Sequence, residues 1–204
     1  MKIAIVGGTG RVARRIIAEA LGRGHTVTAI SRDPSMLEPR PGLEPKVGDA
    51  LRPDTLACLL AGHDIVVSSI KFRMSDPDLL IEAVRKSGVK RYHVVGGGGS
   101  LYVEPGMLMI DAPGFPEIAR EEATLGKIFL DKLRTASDLE WTMLCPSATE
   151  FAPGERTGSF RLGGDTLLVD ANGRSHISYE DFAVAFVDEI EDPKHVRKRF
   201  TVGY

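Results

Sequence analysis

The chain opens with Met1-Lys2-Ile3-Ala4-Ile5-Val6-Gly7-Gly8-Thr9-Gly10-Arg11-Val12-Ala13, and this stretch predicts the class of fold. Residues 3–6 form a short apolar run, which is typical of a strand buried on both faces of a parallel sheet. A glycine turn follows, and beyond it Val12, Ile16, Ile17 and Ala20 recur at helical spacing. A strand, a glycine turn and a helix in this order form the first unit of a dinucleotide-binding fold, although a plain strand-to-helix turn also favours glycine.

The glycines of this turn have a mechanical role in such a fold. They allow the backbone to turn tightly and to approach a pyrophosphate group at the positive end of the following helix. Their spacing is Gly7-x-x-Gly10-x-x-Ala13, and alanine in the third place is tolerable because that position serves helix-to-strand packing. We therefore predict that the cofactor-binding residues of the turn are Gly7, Thr9, Gly10, Arg11 and Val12.

The composition is that of an ordinary globular protein. The 204 residues are 43% hydrophobic and 26% charged, and this length suits one α/β domain. A net charge of -2 gives no general attraction to nucleic acid or to an anionic membrane, and no apolar run approaches the length of a membrane span. Cys58 and Cys145 stand alone in apolar runs, which predicts two buried, reduced thiols. We expect a soluble cytoplasmic protein, monomeric or weakly homo-oligomeric, with no nucleic-acid or membrane partner.

Strand-like and helix-like segments alternate along most of the chain. Further strands are predicted at 26–31, 44–48, 64–70, 90–95 and 139–144, and helices at 53–61, 76–87 and 117–136. This alternation predicts an α/β fold with a doubly wound, mostly parallel Rossmann sheet and helices on both faces. Residues 1–150 would form the cofactor-binding core of a single domain that spans 1–204. Residues 151–204, with strands predicted at 166–169 and 200–202 and a helix at 179–191, would form a small C-terminal lobe on the substrate side.

The second predicted strand ends in Ser31-Arg32-Asp33-Pro34, where this class of fold contacts the adenosine ribose. An acidic residue at this tip binds the 2′-hydroxyl of NAD, whereas an arginine can pair with the 2′-phosphate of NADP. Ser31 and Arg32 suit a phosphate pocket, so the sequence favours NADP (NADPH). Asp33 could still serve NAD, and Arg32 could also be a solvated loop residue.

Small or polar residues follow other strands at the same carboxyl edge of the sheet, where cofactors bind in open α/β folds. We predict further cofactor contacts for Asp49, Ala50, Ser68, Ser69, Ile70, Gly96, Gly97 and Pro146. Asp49 would lie near the adenine amino group, but it could equally be a helix-capping or turn aspartate. The serines could also reflect the ordinary polarity of a strand end.

The fifth predicted strand runs into Gly96-Gly97-Gly98-Gly99-Ser100. Four consecutive glycines are costly in conformational entropy, so they favour a place where backbone passes close to a flat ring such as nicotinamide. A hinge is the alternative. The irregular segment 101–116 carries Met107, Leu108, Met109, Ile110 and Phe115, which could roof a pocket for an aromatic substrate.

Four motifs stand out along the chain. They are Gly7-Gly8-Thr9-Gly10, the 96–100 loop, Pro153-Gly154-Glu155-Arg156-Thr157-Gly158, and Ile177-Ser178-Tyr179-Glu180-Asp181-Phe182-Ala183 followed by Arg199-Phe200-Thr201-Val202. Together they resemble the bacterial putative NADH-flavin reductase family of atypical short-chain dehydrogenases, over essentially the whole chain. That family is similar to NmrA-like proteins and to flavin and biliverdin reductases. The resemblance implies a Rossmann domain that binds NAD(P)H.

The sequence departs from active short-chain dehydrogenases at one motif. Those enzymes use a Tyr-x-x-x-Lys pair, in which tyrosine donates a proton to a carbonyl oxygen and lysine lowers the pKa of that tyrosine. Reading back from Lys127, the tyrosine position holds Ala123, and glycines replace the usual serine near the end of the fifth strand. We therefore do not expect carbonyl reduction by that mechanism.

The sequence leaves three functional hypotheses. The first is an NAD(P)H-dependent oxidoreductase that transfers hydride from NADPH to a flavin or quinone-like aromatic acceptor, which needs ring alignment more than a dedicated acid. The second is a non-catalytic NAD(P)-binding redox sensor of the NmrA type. The third is an epimerase-like enzyme, against which Ala123 argues. We assign no catalytic residue and no metal ligand, because His93, His176 and His195 are scattered along the chain.

Overall fold

The computed structural model describes residues 1–147 and 149–204. The strands in this part of the chain are β1 (Lys2–Val6), β2 (Thr26–Ser31), β3 (Leu43–Val47), β4 (Ile65–Ser68), β5 (Arg91–Val95), β6 (Tyr102–Glu104), β7 (Met107–Leu108), β8 (Glu140–Pro146), β9 (Glu150–Ala152), β10 (Arg161–Gly163), β11 (His176–Ser178) and β12 (Lys198–Gly203). The α-helices are α1 (Arg11–Gly22), α2 (Pro53–Leu60), α3 (Pro77–Ser87), α4 (Glu117–Thr135) and α5 (Tyr179–Glu191).

The central sheet confirms the predicted fold class. In the described residues it has eight strands in the order β10-β12-β8-β5-β4-β1-β2-β3. All neighbours are parallel except β10, which runs antiparallel to β12. The direction of winding reverses between β1 and β4, so a crevice is expected outside the carboxyl ends of these two strands.

Helices pack on both faces of the sheet, and β1 supplies side chains to both cores. Ile3 and Ile5 belong to the core under α1 and α5. Ala4 and Val6 belong to the core under α2, α3 and α4. A strand that is buried on both faces has no solvent-facing positions, and for this reason residues 3–6 form a continuous apolar run.

The ends of α3 follow local sequence signals. The Asp76 carboxylate accepts hydrogen bonds from the N–H groups of Asp78 (2.8 Å) and Leu79 (3.2 Å), which otherwise lack intrahelical acceptors. Pro77 occupies the first turn, where its missing N–H costs nothing. Gly88 ends the helix in the left-handed region at φ +79°. The predicted start and end of this helix are confirmed.

The C-terminal segment contributes to the central layers as well as to their surroundings. β12 pairs with β8 inside the sheet, and α5 packs beside α1. The strand predicted at 166–169 is wrong, because the edge strand is β10 and Thr166 forms only an isolated bridge with Tyr102. Residue 168 is not part of a strand, and its apolar side chain packs against Gly163 and Gly203. The division of the chain at residue 150 stays a prediction.

A buried carboxylate joins the two C-terminal motifs. Asp181 is fully buried and accepts hydrogen bonds from the hydroxyl of Tyr204 (2.7 Å), the N–H of Gly158 (2.8 Å) and the hydroxyl of Thr157. The Ser178 hydroxyl accepts from the N–H of Asp181 at 2.9 Å and thereby caps α5. The segment around residues 157–158, the start of α5 and the C-terminal residue are therefore held in one network.

One of the two cysteines is not where the sequence predicts it. Cys145 is buried and Cys58 is exposed, and both are free thiols. The prediction for Cys58 is wrong, because the buried face of α2 consists of Leu56, Ala57 and Leu60. Burial raises the pKa of the Cys145 thiol to about 11. In the described residues, no helix combines the length and apolar character that a membrane span requires.

His93 gives the stability of the protein a pH dependence. The ring is buried in β5, with its centroid 6.0 Å from that of Phe186. Burial, and to a smaller extent the charge of Arg91, lowers the pKa of His93 to about 3. The folded state thus keeps this histidine neutral, whereas the unfolded chain binds a proton below about pH 6.5. The stability that the folded protein gains from a neutral His93 is fully present above about pH 6.5. It is lost as the pH falls towards the pKa of His93 in the folded state.

When the pH is lowered from about 7.5 to about 5, we expect the free energy of unfolding to fall by about 2 kcal/mol, because the unfolded chain then binds a proton at His93. Urea unfolding at the two pH values measures this change. The His93→Leu variant should show a drop smaller by that amount, because it has no proton to bind. An equal drop in both proteins would contradict the assignment.

Candidate functional site

The glycine turn between β1 and α1 is fixed by its neighbours in the sheet. Gly7 adopts a φ of +85°, and a Cβ at this position would lie 2.6 Å from the carbonyl oxygen of Ser69. A Cβ at Gly8 would lie 2.8 Å from the Cβ of Ala29. The N–H of Gly7 donates to the carbonyl of Ile30 at 2.8 Å. Side chains at positions 7 and 8 are excluded, so the turn requires glycine there.

The first turn of α1 is suited to bind an anion. The N–H groups of Arg11 and Val12 lie in this turn, where helix geometry provides no intrahelical acceptor. Gly10 at the N-cap has no side chain that could accept them. The helix dipole adds partial positive charge at this end. Ala13 is fully buried, in agreement with a packing role for the third position of the motif.

A first cavity of about 680 Å³ opens beside the glycine turn. The predicted cofactor residues that line it are Gly7, Thr9, Gly10, Arg32, Asp49, Ala50, Ser69 and Ile70. Arg11, Val12 and Ser68 are not among its lining residues, and Ser68 is buried within β4. Lys71 and Met74 also line this cavity and had not been predicted.

The tip of β2 brings Ser31, Arg32 and Asp33 to this cavity. The Ser31 hydroxyl oxygen is buried and has no hydrogen-bond partner within the described residues. The Asp33 carboxylate accepts a hydrogen bond from the N–H of Ser35 at 3.0 Å. Hydrogen bonds from Ser35 lower the pKa of Asp33. One oxygen of the acidic residue is thus held in a local turn, whereas Arg32 is exposed and lines the cavity.

Asp49 occupies a turn and lines the cavity at the same time. Its Oδ1 accepts from the N–H of Leu51 at 3.0 Å, so the turn interpretation holds locally. The N-cap of α2 is Arg52, which rules out helix capping by Asp49. Contact between Asp49 and a cofactor stays a prediction.

A second cavity, of about 640 Å³, is lined by residues at the end of β5, at the end of β8 and on one face of α4. The predicted residues Gly96, Gly97 and Pro146 line it, together with Gly98 and Gly99. Apolar side chains complete the wall: Phe72, Val103, Met109, Phe115, Phe151 and Leu167. Of the predicted roof residues, Met109 and Phe115 line the cavity, whereas Met107, Leu108 and Ile110 do not. Lys71 lines the first cavity and Phe72 the second, so the segment after β4 borders both.

The glycines of the second cavity differ in how much space surrounds them. A Cβ at Gly96 would lie 2.5 Å from the Sγ of Cys145, and one at Gly99 would lie 2.5 Å from the Cβ of Ala123. Close packing against β8 and α4 therefore requires these two glycines. Among the described residues, a Cβ at Gly97 would approach only the ring of Phe72, at 3.7 Å. The backbone at Gly97 is thus free to border a ring in the cavity.

Polar groups in the second cavity are few and partly committed. The Glu122 carboxylate accepts from the N–H of Phe72 at 2.7 Å and from the N–H of Arg73 at 3.2 Å. Ala123 lines the cavity. Lys127, one turn further along α4, is instead paired with Asp131, with 2.9 Å between Nζ and Oδ2.

The histidines belong to separate packing contacts. The ring of His176 lies 5.0 Å from that of Tyr204, and the ring of His195 is stacked on Phe200 at 3.9 Å. His93 is buried in β5. In the part of the chain that the structure describes, no group of three or more His, Cys, Asp or Glu side chains is arranged to hold a metal ion.

Several residues that line the second cavity are not among those predicted from the sequence. Phe72, Glu122, Phe151 and Leu167 come from four separate segments, and each follows the apolar or charged pattern of its own segment. Only the position of Phe72 could have indicated a role at the site, because it follows the carboxyl end of β4. The other three are brought to the cavity only by tertiary packing.

The comparison with known families agrees with the geometry of the first cavity. Residues 7–193 match the model of a family that is described as NAD(P)H-binding. The chain belongs to this NAD(P)H-binding family. The match begins at Gly7, the residue whose position excludes a side chain.

Structures of several proteins that resemble this member of the NAD(P)H-binding family have been solved. A putative exported protein from Burkholderia pseudomallei is 42% identical, with a TM-score of 0.91 over 100% of both chains. A putative epimerase from Bacteroides thetaiotaomicron is 37% identical, with a TM-score of 0.92 over 100% of this chain and 96% of that one. A putative NADH-flavin reductase from Streptococcus pneumoniae TIGR4 is 32% identical, with a TM-score of 0.85 over 100% and 99%. The resemblance to the NADH-flavin reductase family is confirmed. The three descriptions differ, so the likeness establishes family and fold.

The first cavity fits the dinucleotide of the NAD(P)H-binding family. A Cβ at Gly7 would fill the turn that a pyrophosphate must approach. The first-turn N–H groups of α1 supply donors for it. The buried Ser31 hydroxyl has no hydrogen-bond partner among the described residues, and buried polar groups normally have one.

Proposed function

We propose that the protein is an NADPH-dependent reductase that transfers hydride to a planar aromatic acceptor, a flavin or a quinone. One observation carries the proposal: an apolar cavity with a glycine wall adjoins the first cavity across the segment after β4. The dinucleotide, when bound, supplies the hydride. Such transfer requires above all that two rings are aligned in a site from which water is excluded.

The residues of the chain divide this work between the two cavities. The turn at Gly7 and the N–H groups of Arg11 and Val12 would hold the pyrophosphate. Arg32 would pair with the ribose 2′-phosphate, which is the basis for preferring NADPH. In the second cavity, Gly97 leaves room for a ring. The apolar side chains around it would exclude water.

The polar groups of the second cavity also support an acceptor of this kind. Ala123 stands where a proton-donating tyrosine would be needed for carbonyl reduction, and the ammonium of Lys127 is bound by Asp131. A flavin or a quinone can take its proton from water after hydride transfer, so it does not require that pair. The carboxylate of Glu122, which accepts two backbone N–H groups, would position the Phe72 segment.

The proposal is tested by mixing the protein with NADPH and a panel of flavins and quinones. Loss of the NADPH absorbance over many turnovers is the expected result. If NADPH binds but no acceptor is reduced, the reductase proposal is wrong. Recovery of a partner protein in only one cofactor redox state would then support the redox-sensor hypothesis.

The Gly97→Val variant is expected to reduce kcat/KM for the acceptor at least ~10-fold, because its side chain would enter the second cavity. The fold should be retained, since a Cβ at this position meets only one ring atom of Phe72, at 3.7 Å. Steady-state kinetics and thermal unfolding measure the two effects. Gly164→Val is the matched control, because position 164 has open space and lies outside both cavities. Equal activity of the two variants would argue against the assignment of this cavity.

The Arg32→Ala variant is expected to weaken NADPH binding at least ~10-fold more than NADH binding, because only NADPH carries the phosphate that the guanidinium would pair with. Fluorescence titration with each dinucleotide measures the ratio. Arg40→Ala is the control, since Arg40 is exposed beside Glu38 and does not line the first cavity. Equal weakening of NADPH and NADH would refute the phosphate-pocket assignment.

A further inference from the structure

The two cavities differ in charge. Arg32 and Lys71 contribute cationic side chains to the first cavity, beside Asp33 and Asp49. Among the described residues that line the second cavity there is no Lys, Arg or His. The one ionisable side chain among these described residues is the carboxylate of Glu122. The second cavity therefore presents an acidic group and no compensating cation.

Two arginines near the second cavity are bound to other groups. Arg120 donates to Glu117 at 2.8 Å and to the carbonyl of Ile110 at 2.9 Å. Its guanidinium lies over the ring of Phe115, 5.6 Å from the centroid. The guanidinium of Arg199 is buried and is held by Asp165 and by Ser100. Neither arginine lines the cavity.

This distribution of charge bears on the form of the acceptor. An anionic group that approaches the second cavity loses hydration and meets the carboxylate of Glu122, and no lining cation offsets either cost. An uncharged ring meets no such penalty and gains contact with the aromatic and aliphatic wall. The cavity of about 640 Å³ has a size that is usual for a small-molecule site.

We propose that the second cavity selects uncharged planar acceptors, such as riboflavin or a quinone, over flavins that carry a phosphate. The inference rests on the proposed function, whose acceptor it defines. In turnover the acceptor gains a hydride from NADPH and a proton from water, and NADPH is oxidised to NADP+. The selection itself is a property of binding, so it can be measured without turnover.

Riboflavin and its 5′-phosphate, FMN, form a matched pair that differs only in the phosphate. Quenching of flavin fluorescence on titration with the protein, in excess NADP+, gives both dissociation constants. Riboflavin should bind at least ~10-fold more tightly than FMN. Equal or tighter binding of FMN overturns the inference, and so does the absence of binding by both flavins. If riboflavin binds selectively but NADPH does not reduce it, the reductase proposal fails for this acceptor while the selection stands.

A variant at the edge of the second cavity tests the electrostatic cause. Val103 lines the cavity and is exposed on β6, so a longer side chain can be placed there without disturbing the core. Val103→Lys adds a cation and should lower the ratio of the FMN dissociation constant to the riboflavin dissociation constant roughly 3-fold to 10-fold. Val103→Gln, a neutral side chain, should leave the riboflavin-to-FMN ratio at its original value. Identical ratios in the two variants would overturn the charge argument.

Discussion

The Gly7→Ala variant is expected to bind NADPH more than ~10-fold more weakly than the unmodified protein and to lose about 2–3 kcal/mol of stability. The new methyl group would lie 2.6 Å from the carbonyl oxygen of Ser69 and 2.8 Å from Cγ1 of Ile70. The φ of +85° adds backbone strain for any residue other than glycine. The turn can relieve the clash only by moving away from β4. That movement displaces the N–H groups that would receive the pyrophosphate.

Gly24→Ala separates strain from position. Gly24 has a nearly equal φ of +80°, but a Cβ there meets no described atom within 4 Å. This control should lose about 1–2 kcal/mol of stability from strain alone and keep the NADPH affinity of the unmodified protein. Fluorescence titration and urea unfolding measure the two quantities. Retained NADPH affinity in Gly7→Ala would show that the turn is not the pyrophosphate site.

The Asp181→Ala variant is expected to lower the free energy of unfolding by about 3 kcal/mol, because three donors lose the buried carboxylate that accepts their hydrogen bonds. The hydroxyls of Tyr204 and Thr157 and the N–H of Gly158 all point at this carboxylate. Urea unfolding measures the loss. Faster proteolysis within residues 153–159 should accompany it, since Thr157 and Gly158 lose their anchor.

Two controls bracket this effect. Tyr204→Phe removes one donor and leaves the carboxylate in place, so it should cost about 1 kcal/mol. Asp188→Ala removes a half-exposed carboxylate from the same helix, where it pairs with Arg23 at 2.8 Å, and should cost less than about 1 kcal/mol. If Asp181→Ala were no more damaging than Asp188→Ala, the network would not be the element that holds the segment.

The parts of the fold that sequence predicted well are those whose signals are local. An apolar run buried on two faces, a glycine turn and an amphipathic helix identify β1 and α1. Asp76, Pro77 and Gly88 set the ends of α3 through bonds and dihedral angles within a few residues. The first cavity was largely predictable for the same reason, since its lining residues follow the carboxyl ends of consecutive parallel strands.

The errors arise where distant packing outweighs a local pattern. Residues 166–169 are apolar and partly β-branched, but Leu168 packs against Gly163 and Gly203, and β10 forms the sheet edge instead. Cys58 lies in an apolar run, but the face of α2 that carries it points to solvent. The second cavity likewise joins Phe72, Glu122 and Leu167, which share no sequence pattern.

The sequence by itself determined the doubly wound sheet, the glycine turn between β1 and α1 and the cationic residue at the tip of β2. Each follows from residues that are neighbours in the chain or successors at one sheet edge. The tertiary structure alone decided the shape and charge of the second cavity and the burial of Asp181. These depend on contacts between segments far apart in sequence, and only the packed chain brings such segments together.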